Sequence, residues 1–395
     1  MTQRALVIQL ARLGDLVQTI PAITALKESH ADWDVDLLCP AQLAAIGRLL
    51  PGISNVVKWD GAAWHRRAAN VEAAIRFEHI AEADAELLAM TERLYDQAFV
   101  LNQHPRSILA GSLLARENIG AVTGGPLDQK LSPWALYIRS VVTAKQSNRI
   151  HLADAFCGMC GLSPPKRIVP IQVPDTALPI DLDPIGQSEG QWIAVLVGAG
   201  DQERLVPIAV WEGMITECLE LLPASRIVLV GDQHEQGRAQ CIQGSLSPSL
   251  LGRVWDTTGR LSLIQLAGLL TRCHMVIGAD TGPLHLAAAV GTRVIGWYFA
   301  RARIHETGPY GPNHWVWQAQ GREIDRMDVV KPIQWPITET IALLRGHSAA
   351  TVADWSLWES YRDHWGAYYA EAGHEPVEPL QRERVWRQLQ ASSVS

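Results

Sequence analysis

The stretch MVIGADTGPLHLAAAVGTRVIGWY, residues 275–298, opens on a short apolar run that predicts a strand, MVIGAD. A helix follows Thr281, and Arg293–Tyr298 returns to an apolar strand. Strand, helix, strand in that succession is the βαβ unit of a parallel sheet. The same alternation extends upstream. WIAVLVG (192–198) and RIVLVG (226–231) read as strands, with helices over Ile208–Leu222, after His234 and along LSLIQLAGLLTRC (261–273). It occurs again at the start of the chain. Ala5–Leu10, Val35–Cys39, Val56–Trp59 and Phe99–Leu101 read as strands. Leu16, Ile20, Ile23 and Leu26 have helical spacing, and Leu43–Leu50 and SILAGSLLAR (107–116) also read as helices. Val71–Leu94, rich in Ala and Glu, is expected to be a long, partly exposed helix.

Two such series imply an α/β protein with two Rossmann-like domains and a cleft at the carboxyl ends of both sheets, where ligands bind in open α/β folds. Pro164, Pro165, Pro170, Pro174, Pro179 and Pro184 mark the join, because proline stiffens the backbone and removes ladder donors. The expected division is 1–175, 185–348 and a tail, 349–395. Trp355, Trp358 and Trp365 have spacings of three and seven, which predicts one aromatic face of a helical tail packed back on the first domain. Asp354, Glu359, Asp363 and Glu371 deprive that tail of the basic face of a membrane-surface helix.

The 395 residues, 48% hydrophobic and 19% charged, exclude a disordered or fibrous chain and a lone small module. A net charge of −7 gives no global field for nucleic acid, so any anion site is local. Residues 100–170 are one candidate, with eight Lys or Arg against three acidic residues. No signal h-region and no bilayer-length apolar run is found, and the expected location is the cytoplasm, at most at the inner face of its membrane. Cys157 and Cys160 form a CxxC without a second pair, so they read as core thiols and no metal site is expected. HWVWQ (314–318) reads as core.

Two strand-to-helix junctions could carry chemistry. Arg12-Leu13-Gly14-Asp15 follows the first strand; Asp15 either caps the next helix or projects its carboxylate into the cleft. At Asp280-Thr281-Gly282, a carboxylate, a hydroxyl and a glycine open a helix whose first N–H groups suit a diphosphate, and His285 lies one turn on from Thr281. The plain alternative is a capped helix with a surface histidine. There is no Walker sequence and no G-x-G-x-x-G after either opening strand, which disfavours P-loop and dinucleotide readings.

RLGDLVQTIPAITALK (12–27) and GADTGPLHLAAAVGTRVIGWY (278–298) together resemble the bacterial heptosyltransferases of glycosyltransferase family 9. YDQAFVLNQHPRS (95–107), VGDQHEQGRA (230–239), TGRLSLIQLAGLL (258–270) and ETGPYGP (306–312) match in the same order. The resemblance implies a GT-B fold and transfer of heptose from ADP-heptose, as co-substrate with no other cofactor, to lipopolysaccharide core or a related anionic glycolipid. It assigns Asp15 as general base; Asp280, Thr281, Gly282 and His285 to the donor site; and Glu235 to the nucleoside ribose. Arg204, in Arg204-Leu-Val-Pro, stands where the family has a phosphate-binding Lys in Lys-x-Trp-Pro, keeping the charge with a different donor geometry. Arg66 and Arg67 fall where some family members place a basic acceptor loop, and Arg106 is a third expected acceptor cation. The rival readings are another nucleotide sugar, a protein or small-molecule acceptor, and a nucleotide-sugar binder without turnover.

Overall fold

The computed structural model describes residues 2–61, 85, 93–125, 128–141, 148–177, 190–320, 334–374 and 380–393. The helix expected over Val71–Leu94 lies almost wholly outside these residues, as do Arg66, Arg67 and part of the proline-rich join. The first sheet contains β1 (Arg4–Ile8), β2 (Asp34–Pro40), β3 (Asn55–Trp59), β4 (Tyr95–Val100), β5 (Ala115–Gly125) and β6 (Asp128–Leu131) in the order β3-β2-β1-β4-β5-β6. It is parallel except for the β5–β6 pair. Ala5, Leu6, Val7 and Ile8 are all but completely buried, which explains why β1 is uninterrupted apolar sequence: helices cover both faces of a parallel sheet.

The second sheet contains β7 (Gln191–Leu196), β8 (Ser225–Val230), β9 (Val254–Asp256), β10 (Met275–Ala279), β11 (Val294–Tyr298), β12 (Trp315–Ala319), β13 (Trp355–Asp363) and β14 (Gly366–Glu371). Its order is β14-β13-β12-β11-β10-β7-β8-β9. β10 pairs with β11 in parallel, with Ile277 opposite Ile295, and the helix Gly282–Ala289 crosses between them. Trp317 of HWVWQ is buried on β12, as expected of core.

The tail departs from the helical expectation. Residues 355–371 form the antiparallel hairpin β13–β14, which extends the second sheet beyond β12, with Trp317 opposite Leu357. Among the described residues of the tail, only Leu380–Ser393 is helical. In a strand a spacing of three sends side chains to opposite faces, so Trp355 joins the core around Trp317 while Trp358 faces His305 on the other side. Aromatic residues favour such a pleated, half-buried surface, and here pairing with β12 overrides the helical spacing. SILAGSLLAR also ends early. Its helix stops at Leu114, and Ala115 starts β5 opposite Tyr95.

Among the described residues, two of the contacts between the domains bear on the site. At the first, the helix Leu13–Val17 rests on the helix Gly282–Ala289. A Cβ on Gly14 would sit 3.0 Å from His285 Cδ2, and one on Gly282 would sit 3.0 Å from Leu13 Cβ. The two motif glycines thus let the carboxyl ends of β1 and β10 face each other at close range.

At the second, Asn148 Nδ2 donates to the His305 carbonyl (3.2 Å) and His151 Nε2 bonds the Gly308 carbonyl (2.8 Å). The fully buried Asp154 carboxylate accepts from Tyr310 Oη (2.7 Å) and from the Ala367 N–H (2.8 Å) of the tail hairpin. Burial pushes Asp154 up to about 7 from 3.8, despite those donors. Between these two values the folded chain holds a proton that the unfolded chain releases, so this site's contribution to stability declines as pH rises through the window. Asp154→Ala should cost about 2–4 kcal/mol by orphaning two buried donors, and should flatten that pH dependence; denaturant titrations at pH 4 and pH 8 check both.

Candidate functional site

β1 ends at Ile8, and Arg12 stands in extended conformation before the helix Leu13–Val17. Asp15 is the third residue of that helix, and its Oδ2 accepts the Arg12 backbone N–H at 3.3 Å. The cap reading and the cleft reading are therefore both realised. The same carboxylate that holds the helix start also lines a cavity of about 360 Å³ with Arg204, Asp280, Thr281 and His285. Burial raises the Asp15 carboxyl above its ordinary 3.8, against the opposing pulls of the Arg12 N–H, His285 and the Arg12 charge. A carboxylate raised in this way is a better proton acceptor at neutral pH than a solvated one.

Across the cavity, Asp280 is buried and heavily committed. It receives Arg204 Nη1 on both its carbonyl (2.8 Å) and Oδ2 (3.0 Å), Thr307 Oγ1 on Oδ2 (3.3 Å) and His285 Nε2 on Oδ1 (3.1 Å). Asp280 is thus the organiser that aims Arg204 and His285. Thr281, at the cap position of the Gly282–Ala289 helix, makes no side-chain cap bond, and its buried Oγ1 has no hydrogen-bond partner among the described residues. That hydroxyl and the helix start border the cavity together with Arg204.

A second cavity, of about 320 Å³, adjoins the first. Gly198, Gly231, Asp232, Glu235 and Leu263 line it, together with Arg12, Gly14, Gly200, Thr281 and Gly282, which also border the first cavity. Glu235 Oε2 accepts the Asp232 N–H at 2.7 Å, and burial raises its carboxyl above the ordinary value. A Cβ on Gly198 would overlap the Glu235 carboxylate, so Gly198 keeps open the space that this side chain occupies. Arg204 and Glu235 accordingly line neighbouring cavities, one polar and charged, the other part apolar.

Arg106 is placed on the first-domain rim, its Nη2 donating to the Leu10 carbonyl at 3.2 Å, and is not among the residues lining either cavity. Arg66 and Arg67 lie outside the described residues. Cys157 and Cys160 are buried free thiols, with burial pushing Cys160 up to about 12. Sequence reasoning missed Thr307, whose contact with Asp280 spans 27 residues and leaves no local pattern. It also missed the Glu203–Arg301 ion pair (3.6 Å), whose members line the first cavity. No helix among the described residues is long and apolar enough to cross a membrane.

Comparison with known proteins bears on the fold that carries this site. Residues 171–332 match the family model of glycosyltransferase family 9 (heptosyltransferase). No curated protein matches the chain by sequence. Among solved structures, a glycosyl transferase family 9 protein from Veillonella parvula is 16% identical with a TM-score of 0.65, covering 82% of this chain and 88% of that one. E. coli ADP-heptose lps heptosyltransferase II is 15% identical with a TM-score of 0.65, covering 87% and 98%. The E. coli heptosyltransferase WaaC, solved with ADP, is 20% identical with a TM-score of 0.59, covering 82% and 95%. These likenesses establish the two-domain GT-B fold. The family model thus covers residues 171–332, within the second domain and its approach, while the fold as a whole is the one seen in solved glycosyltransferase family 9 structures.

Proposed function

We propose that the chain is an inverting glycosyltransferase that moves heptose from ADP-heptose to an anionic glycolipid acceptor of the lipopolysaccharide-core type, at the inner face of the cytoplasmic membrane. One observation carries the reading: Asp15 of the first domain faces Arg204, Thr281 and His285 of the second across a single cavity. In the reaction the acceptor hydroxyl gives its proton to the Asp15 carboxylate as its oxygen bonds the anomeric carbon. The bond from that carbon to the diphosphate breaks on the opposite face, which inverts the centre. The leaving diphosphate takes up the negative charge, which Arg204, the Thr281 hydroxyl and the helix start are placed to stabilise. Asp280 acts by holding Arg204 and His285 in position. Glu235 and the second cavity would receive the nucleoside, and Arg106, with Arg66 and Arg67, the acceptor's anionic groups.

A thermal-shift panel of ADP, GDP, UDP and dTDP tests the donor. ADP should lead, with stabilisation of about 2.7 kcal/mol at a hundredfold excess over Kd. A clear lead for UDP or GDP would overturn the donor assignment. Release of ADP from ADP-heptose only when a core glycolipid is present would separate transfer from mere binding. Arg204→Lys should raise the donor KM about 3–10-fold, because lysine cannot reproduce the two-point hold on Asp280 while serving a phosphate.

A further inference from the structure

Resting on the diphosphate reading above, we propose that Arg12 is a donor-binding residue that clamps the diphosphate from the first domain, so that donor occupancy sets the position of Asp15. The two cavities share five lining residues: Arg12, Gly14, Gly200, Thr281 and Gly282. Any molecule with a base in one cavity and a sugar in the other must thread its linking group past these five. Three are glycines, which leave the passage open to backbone approach. One is Thr281, whose buried hydroxyl has no hydrogen-bond partner among the described residues. The last, Arg12, is the cation of the passage.

Charge and geometry fit a diphosphate there. The point where a Cβ on Gly200 would sit is 3.8 Å from Arg12 Nη1 and 3.7 Å from Arg204 Nη2, so two guanidinium groups from opposite domains converge on it. Arg204 is already bound to Asp280. Among the described residues no carboxylate pairs with the exposed Arg12 guanidinium. Like charges brought together from two domains repel, and a group carrying two or three negative charges between them turns that repulsion into a cross-domain bridge. The Arg12 backbone N–H is the donor to Asp15 Oδ2, so fixing Arg12 fixes the start of the helix that carries Asp15.

The test uses Arg12→Ala and Arg12→Lys in the full chain, with Kd for ADP from calorimetry and for adenosine from ligand-observed NMR. Arg12→Ala should weaken ADP about 10–100-fold and leave adenosine within twofold, with Arg12→Lys recovering part of the loss. The acid limb of the kcat profile should also move upward in Arg12→Ala, because a charge that favours the ionised Asp15 is gone. An unchanged ADP affinity, or equal losses for ADP and adenosine, overturns the clamp. If wild-type protein binds UDP instead, the donor reading fails while the clamp is tested unchanged with UDP and uridine. If it binds no nucleoside diphosphate, both fall.

Discussion

Asp15→Ala is expected to lower kcat by about 10²–10⁴, the usual contribution of a positioned general base, while ADP binds within a few-fold of wild type. The expectation follows from Asp15 standing on the first-domain wall, across the cavity from the groups that would hold the leaving group. The pH profile gives the sign. Because burial raises the Asp15 carboxyl above 3.8, the wild-type rate should fall as pH drops through that raised value, and this limb should vanish in the variant. Turnover near wild type in Asp15→Ala would remove Asp15 from the reaction. Loss of ADP binding in parallel with kcat would assign it instead to holding the helix start through the Arg12 N–H.

The second large effect concerns the tail. Cutting the chain after Ser348 should abolish soluble, folded protein, because it removes β13 and β14 from the second sheet and the helix Leu380–Ser393 from the first domain. β12 would become an open apolar edge, a template for aggregation. Trp134 would lose Trp386, whose ring lies 4.2 Å away. Trp386 is completely buried, so Trp386→Ala alone should cost about 3–5 kcal/mol, a large part of a typical domain's 5–15 kcal/mol. Chemical denaturation of that variant checks the magnitude. A truncated chain that melts like wild type would show that the tail only decorates the fold.

Both βα series were legible because buried parallel strands are continuous apolar runs, as at β1 and β10, and because glycine punctuates their ends. The tail was misread for a definite reason. Trp355, Trp358 and Trp365 satisfy a helical stripe, but the pairing that decides the outcome is with β12, about forty residues upstream, and spacing alone does not reveal it. At the site, Asp15 and Thr281 stand at strand-to-helix junctions that local sequence marks, whereas Glu235, in the turn Gln233–Glu235, was named only through the family resemblance. The committed state of Asp280 was not legible, since its partners Arg204 and Thr307 are 76 and 27 residues away. The sequence names Arg12 within the first junction without giving it a role, because only the second domain's Gly200, facing it, shows where its charge is directed.

The hairpin and final helix also fix a timetable for biosynthesis. Residues 355–393 leave the ribosome after every strand they complete, yet β13 closes the edge of the second sheet and Trp386 fills the core beside Trp134 of the first domain. Neither domain can therefore reach its final packing as an independent nascent unit, although β1 to β6 emerge well before β7. During that interval the β12 edge and the Trp134 face are exposed, and a nascent chain stalled before residue 355 should recruit holdase chaperones and be sensitive to protease. Ribosome-bound chains arrested before and after the hairpin should differ sharply in proteolytic protection, with both domains becoming resistant together.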